Sequence, residues 1–270
     1  MRPGDYEAFT NELARSLGGD ERVVGLVALG SMAARDYQPD EWSDHDFFVV
    51  TSSGAQEEMR RDVSWLPRAE RIAYWYRETE HGLQVFYEDG HLLEFAVFDL
   101  PEVGLASVNR YRVLLDRGGV AARMAEVAAE TAARKRPSDA HEFGKLLGSV
   151  LVGAGRARRG EELSGGMFVK DLALGRLAVL LARVLPAERA GLLDDLDPLR
   201  RFEAVYPALG AELVELTRLE TVAAAHGLLW VAERELRPRR PDLPWHALDV
   251  VRRRIDRGTN RSAFLTMDEP

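Results

Sequence analysis

Two stretches decide how this chain is read. They are Val23-Val24-Gly25-Leu26-Val27-Ala28-Leu29-Gly30-Ser31 and, twelve residues later, Asp44-His45-Asp46-Phe47-Phe48-Val49-Val50-Thr51. The first is an apolar run closed by a Gly-Ser turn. The second is rich in β-formers from His45 to Thr51 and opens on two aspartates. Side chains at i and i+2 of a strand share a face, so Asp44 and Asp46 point together while His45 and Phe47 point the other way. Two neighbouring carboxylates repel one another unless a cation joins them. An all-oxygen donor set suits Mg²⁺ or Mn²⁺, and Mg²⁺ commonly bridges carboxylates to substrate phosphates. Gly30 lets the backbone approach a phosphate closely, free N–H groups at such a turn bind anions, and the Ser31 hydroxyl can donate a further hydrogen bond. A Gly-Ser turn or an Asp-x-Asp strand alone also describes an ordinary turn beside a solvated acidic face. Their order and spacing favour a nucleoside-triphosphate site.

Working outward, a third carboxylate lies in Leu92-Leu93-Glu94-Phe95-Ala96-Val97-Phe98, where Glu94 interrupts an apolar strand. Burying a glutamate is costly unless it is paired or near a metal. Glu94 is therefore a general base for an acceptor hydroxyl, with metal ligation as the rival role and a half-solvated edge strand as the plain alternative. Asp89-Gly90 suits a two-residue type I′ turn, which joins residues 83–88 to 91–98 as a hairpin and sets Glu94 opposite Val85. Glu88, Asp89 and Asp99 sit at strand ends and are weaker candidates. Trp65, Tyr74, Trp75 and Tyr76 cluster between these segments, either walling an acceptor pocket or packing as ordinary core and rim.

The remaining texture divides the chain. Residues 1–118 hold the strands, including a short one at 112–115, with helices expected over 5–17 and 55–63. From about residue 120 the pattern turns helical. Helices are expected over 120–134, 139–160, 166–185, 187–195, 198–206, 208–236 and 244–256, with Ser138 as an N-cap and Pro186, Pro198, Pro207 and Pro238 as punctuation. The expected architecture is α+β: a catalytic domain over 1–118 with a small mixed β-sheet and flanking helices, then a helical-bundle domain over 119–270.

Composition narrows the function classes. With 270 residues, 46% hydrophobic and 30% charged, the chain reads as an ordinary globular protein. It has no cysteine, so disulfides, thiolate metal sites and cysteine nucleophiles are excluded. A net charge of −8 argues against a general nucleic-acid coat. Met1-Arg2-Pro3-Gly4-Asp5 lacks a signal-peptide pattern. The longest apolar run, 177–182, falls far short of the about 20 residues a membrane span needs. A soluble, cytoplasmic chain is the expectation. Arg237-Pro238-Arg239-Arg240 and Arg252-Arg253-Arg254 read as a solvated basic face, and the six histidines show no metal-ligand spacing.

The pattern of an apolar strand, Gly30-Ser31, twelve residues and Asp44-x-Asp46 resembles the nucleotidyltransferase superfamily that includes DNA polymerase beta and the antibiotic nucleotidyltransferases. Within it the chain is most similar to lincosamide nucleotidyltransferases of the larger, two-domain type. The similarity runs from Asp20-Glu21-Arg22-Val23 through the Glu94 strand and Val113-Leu114-Leu115-Asp116, and more faintly to Arg159-Gly160-Glu161 and beyond. The resemblance implies transfer of AMP from ATP, or a nucleotidyl group from another NTP, to a hydroxyl of a small lincosamide- or aminoglycoside-like antibiotic. It also implies Mg²⁺ (or Mn²⁺) held by Asp44 and Asp46, a helical second domain and a homodimer. Arg35, four residues past the turn, and Lys170, on an early turn of a helix, would join Gly30 and Ser31 in holding the nucleotide. Two departures stand out: Asp46 occupies a position where those relatives carry glutamate, and Gln38-Pro39-Asp40-Glu41-Trp42 lengthens the loop. The rival functions are the same chemistry on a tRNA or protein acceptor, and a non-catalytic nucleotide-binding regulator.

Overall fold

The runs on either side of the Gly-Ser turn do pair. In the computed structural model, which describes residues 3–33, 39–187, 189–194 and 196–262, Val23–Leu29 (β1) and His45–Thr51 (β2) are antiparallel, with Ala28 opposite Phe47. Four further strands complete a mixed sheet: Ile72–Arg77 (β3), Gly82–Tyr87 (β4), Leu92–Asp99 (β5) and Tyr111–Asp116 (β6). Their order is β3-β4-β5-β2-β1-β6. Only β2 and β5 among the paired strands run parallel, and the other pairs are antiparallel. The architecture is α+β.

Alternation along the strands builds two cores. Phe47, Val49, Leu83, Val85, Leu93, Phe95 and Val97 pack on one face against α1 (Pro3–Gly19), which contributes Tyr6, Phe9, Leu13 and Leu17. Those four recur at three- and four-residue spacing, one stripe of a helix. Full burial of each such side chain contributes on the order of 1.5–3 kcal/mol. Met59 of α3 (Gln56–Arg61), the helix after the four-residue α2 (Gly30–Ala33), joins the same core. On the other face Val27, Val50, Ala96 and Phe98 meet Val120, Met124 and Val127 of α4 (Val120–Ala133). The Asp116 carboxylate starts this helix by accepting from the backbone N–H groups of Gly118, Gly119, Val120 and Ala121 at 2.9–3.1 Å. The first compact unit, 1–134, takes in β6, which ends at Asp116, and α4.

The described residues of the second unit, 135–270, are mainly helical. It comprises α5 (Asp139–Ala157), α6 (Glu162–Gly166), a π-helical stretch Met167–Ala173, α7 (Leu174–Val184), α8 (Phe202–Val205), α9 (Pro207–Arg218), α10 (Thr221–Leu236) and α11 (Trp245–Ser262). Its core joins Phe143, Leu146 and Val150 of α5 to Leu177 and Leu181 of α7, Leu228 and Leu229 of α10, and Leu248 of α11. Ser138 caps α5 as expected, accepting from the His141 N–H at 3.2 Å.

Several elements differ from expectation. The single helix expected over 208–236 breaks at Leu219-Glu220, because Glu162 of α6 reaches across to accept from the Thr221 N–H (3.0 Å) and hydroxyl. The helices expected over 187–195 and 198–206 shrink to a 3₁₀ turn at Ala190–Leu192 and to α8. The hairpin is also out of step with a two-residue turn. The Tyr87 N–H donates to the His91 carbonyl (2.9 Å) and the Gly90 N–H to the Tyr87 carbonyl (2.9 Å), with Gly90 at φ +81°. That is a three-residue loop with a left-handed glycine forming the bulge. It shifts the register so that Gln84, not Val85, lies opposite Glu94. Among the described residues no helix is long and apolar enough to cross a membrane.

Candidate active site

The parallel pairing of β2 with β5 sets Asp46 directly opposite Glu94, and the antiparallel neighbours extend that row through Gln84 of β4 to Tyr76 of β3. Asp44 precedes β2 by one residue and shares the face of Asp46. Asp44, Asp46 and Glu94 each present an oxygen such that all three atoms lie within 4.8 Å of one another. The three residues are half-buried. Three like charges at this spacing oppose ionisation. Burial first, then the charges of Asp44 and Glu78, push the Glu94 carboxyl above the usual carboxylate range. The site thus answers to a hard divalent cation: its donors are all carboxylate oxygens, and a cation would relieve their repulsion.

Gly30 stands against the same group. Its φ is +48°, and a Cβ added there would fall inside the contact radius of Asp46 Oδ2. Glycine is required on both counts, for the left-handed turn and for the approach of backbone to carboxylate. The turn opens a four-residue helical segment, α2 in position only, at Gly30–Ala33.

Ser31 is buried and its hydroxyl is engaged inside the protein. It lies 3.0 Å from the Tyr6 hydroxyl and donates to the Asp44 carbonyl at 3.2 Å, where the Tyr6 O–H also donates at 2.8 Å. The Ser31 hydroxyl ties the turn to the residue just before β2. Behind the carboxylates, His45 is buried and stacks on Tyr6 at 3.8 Å between ring centroids. Its Nε2 faces the Tyr6 carbonyl (3.2 Å) and the Thr10 hydroxyl (3.1 Å), and Thr10 itself donates to that carbonyl (3.1 Å). A carbonyl only accepts, so Nε2 carries the proton. Nδ1 therefore accepts from His91 Nε2 at 2.7 Å. Burial, reinforced by His91, pushes the His45 imidazole down to about 3, and burial pushes His91 down to about 4. Both are neutral props of the aspartate strand.

Two residues that the register places in the row of Glu94 orient it. The Tyr76 hydroxyl donates to Gln84 Oε1 at 2.7 Å, which fixes the amide so that its Nε2 donates to Glu94 Oε1. The aromatic cluster expected at residues 65–76 divides between faces. Trp65 and Trp75 pack on the α1 core, Trp65 edge-on to Phe95 at 5.4 Å, whereas Tyr74 and Tyr76 lie on the Glu94 face. Lys170 belongs to the helical unit, half-buried on the π-helical stretch, where its charge contributes to lowering Glu162 after the hydrogen bonds from Thr221. Arg35 lies outside the described residues. The basic C-terminal stretch is paired within its own unit: Arg237 and Arg252 with Glu233, Arg239 with Glu235, and Arg240 with Asp139 and Asp242.

No family model matches the chain. No curated protein matches it either. Among solved structures, it is similar to an aminoglycoside 6-adenyltransferase from Bacillus subtilis at 12% identity and a TM-score of 0.28, over 96% of this chain and 90% of that one. It is also similar to the CD-NTase CdnG of Bradyrhizobium diazoefficiens, solved in complex with GTP, at 15% identity and a TM-score of 0.28, over 97% of this chain and 95% of that one.

Proposed function

We propose that the protein is a nucleotidyltransferase that moves AMP from ATP to a hydroxyl of a small molecule, of the lincosamide or aminoglycoside kind. The observation that carries this reading is the meeting of three carboxylates from two parallel strands beside a left-handed glycine turn. Asp44 and Asp46 are the residues that would hold Mg²⁺. A divalent ion held there stabilises charge on the attacking and leaving oxygens of an in-line displacement.

The chain's own groups do the rest. Glu94, raised above the ordinary carboxylate range, takes the proton of the acceptor hydroxyl. That oxygen bonds to the α-phosphorus as the bond from phosphorus to the oxygen bridging the β-phosphate breaks, and pyrophosphate leaves. Gln84, fixed by Tyr76, holds one oxygen of Glu94 and so sets the direction in which the other accepts. The backbone at Gly30, free of a side chain, gives the phosphates close approach.

The test is mass spectrometry of hydroxylated antibiotics incubated with the protein, Mg²⁺ and either ATP or GTP. The expected product carries one added nucleoside monophosphate, with one pyrophosphate released for each. Transfer to tRNA or to a protein in place of every antibiotic would move the acceptor to a different class. Nucleotide binding without pyrophosphate release would identify a regulator.

A further inference from the structure

Resting on the transferase reading, we infer that the sheet face formed by Tyr74, Tyr76 and Phe86 is the acceptor-binding surface, and that it takes a small molecule with a hydroxyl-bearing saturated ring such as a pyranose. The inference starts from strand order. Gly30 directly follows β1, on one side of β2, and Glu94 lies on β5, on the other side. In an in-line displacement the entering and leaving oxygens lie on opposite sides of phosphorus. With the phosphates at the Gly30 end, the acceptor must approach from β5 and the strands beyond it, β4 and β3.

On that side and on that face the side chains are Gln84 and Tyr76 in the row of Glu94, and Phe86 and Tyr74 in the next row, where Phe86 pairs with Leu92. Tyr74 is 61% exposed and Phe86 36%. Tyr76 stacks with both neighbours, Tyr74 at 5.9 Å and 22° and Phe86 at 6.5 Å and 14°, while Tyr74 and Phe86 are 6.3 Å apart and tilted by 33°. Large aromatic side chains grouped in water beside polar groups mark a contact surface. Leu92 carries the strip into a cleft of about 530 Å³ that Asp44 and Trp42 also line. That volume is in the range that holds a small organic ligand, ~300–1,000 Å³.

The chemistry selects the occupant. Aromatic rings favour an apolar C–H face, Gln84 offers amide hydrogen bonds to ring substituents, and Glu94 at the end of the row needs a hydroxyl within reach. A saturated ring with C–H bonds on its face and hydroxyls at its edge meets all three demands. The Tyr76–Gln84–Glu94 hydrogen-bond chain joins the surface that would hold the ring to the group that would deprotonate it.

The experiment uses the full chain with isotope-labelled tyrosine and phenylalanine rings, titrated with lincomycin, kanamycin and methyl α-glucopyranoside in the presence of Mg²⁺ and ATP. At least one probe is expected to shift the Tyr74, Tyr76 and Phe86 ring signals and itself to gain the AMP mass. For that probe, Tyr74→Ala combined with Phe86→Ala should raise KM on the order of tenfold, with kcat and the Kd for Mg–ATP within about twofold. The ring-shift measurement is made on the unsubstituted protein, so it stands if the double variant misfolds. The inference is overturned by a probe that is adenylylated without moving those rings, by an unchanged KM in a folded double variant, or by ring signals that no probe shifts. Ring shifts by a probe that never receives AMP overturn it as the acceptor surface. Failure of the transferase reading looks different, as the loss of AMP transfer to every probe together with the loss of Mg–ATP binding.

Discussion

At the scale of single residues, the candidate site holds three carboxylates together against their mutual repulsion. Glu94 is raised by burial and by its neighbours' charges, so its surroundings disfavour the ionised form. Glu94→Gln keeps shape and burial but cannot accept a proton. Turnover should fall on the order of 10²–10⁴, with Mg–ATP binding retained and no loss of thermal stability. Loss of Mg–ATP binding in that variant would make Glu94 a metal ligand instead. The two aspartates were legible because period-two alternation is local. Glu94 was legible because one charge in an apolar strand stands out. Ser31 was legible as a candidate, whereas its hydrogen-bond partner Tyr6, 25 residues away, was not. Gln84 carries no local signal, and Tyr76, read only as one of the clustered aromatics, is joined to Glu94 by register alone.

The elements show where local reading ends. The apolar runs of β1, β2 and β5 were clear, whereas β3 is an edge strand with much of Ile72–Arg77 exposed, and it offers little alternation to read. The break between α9 and α10 comes from Glu162, a capping carboxylate from another helix. The hairpin is subtler: Asp89-Gly90 marked the turn, but one extra loop residue moved every cross-strand pair by one. Two glycines test this level. At Gly90, φ is +81° and nothing lies within 4 Å of an added Cβ, so Gly90→Ala meets only the left-handed backbone cost. It should lose about 1–2 kcal/mol in denaturant unfolding and keep its activity. At Gly30 the same backbone cost is joined by collision with Asp46. Gly30→Ala should therefore lose more stability than Gly90→Ala and also abolish turnover. Equal activity in the two variants would remove Gly30 from the site.

Over the whole molecule, the buried His45–His91 pair links the carboxylate strand to global stability. Both imidazoles sit well below the ordinary value of 6.5, at about 3 and about 4. Below that ordinary value the unfolded chain binds protons that the folded chain refuses, so stability falls as pH falls, and the contribution is fully present only above it. Between pH ~7 and ~5.5, above the range where most carboxylates titrate, the pair should cost about 2 kcal/mol of unfolding free energy. His91→Gln should flatten that dependence by roughly half in denaturant titrations at the two pH values. An unchanged slope would show that the pair is not held neutral. The central claim is that Asp44 and Asp46 form a metal–nucleotide site, and calorimetric titration of ATP with and without Mg²⁺ addresses it most directly. The unsubstituted protein should bind ATP tightly only with Mg²⁺, and the double variant Asp44→Asn with Asp46→Asn, folded by circular dichroism, should lose that Mg²⁺ dependence. A folded double variant that binds Mg–ATP as tightly as the original protein would contradict it.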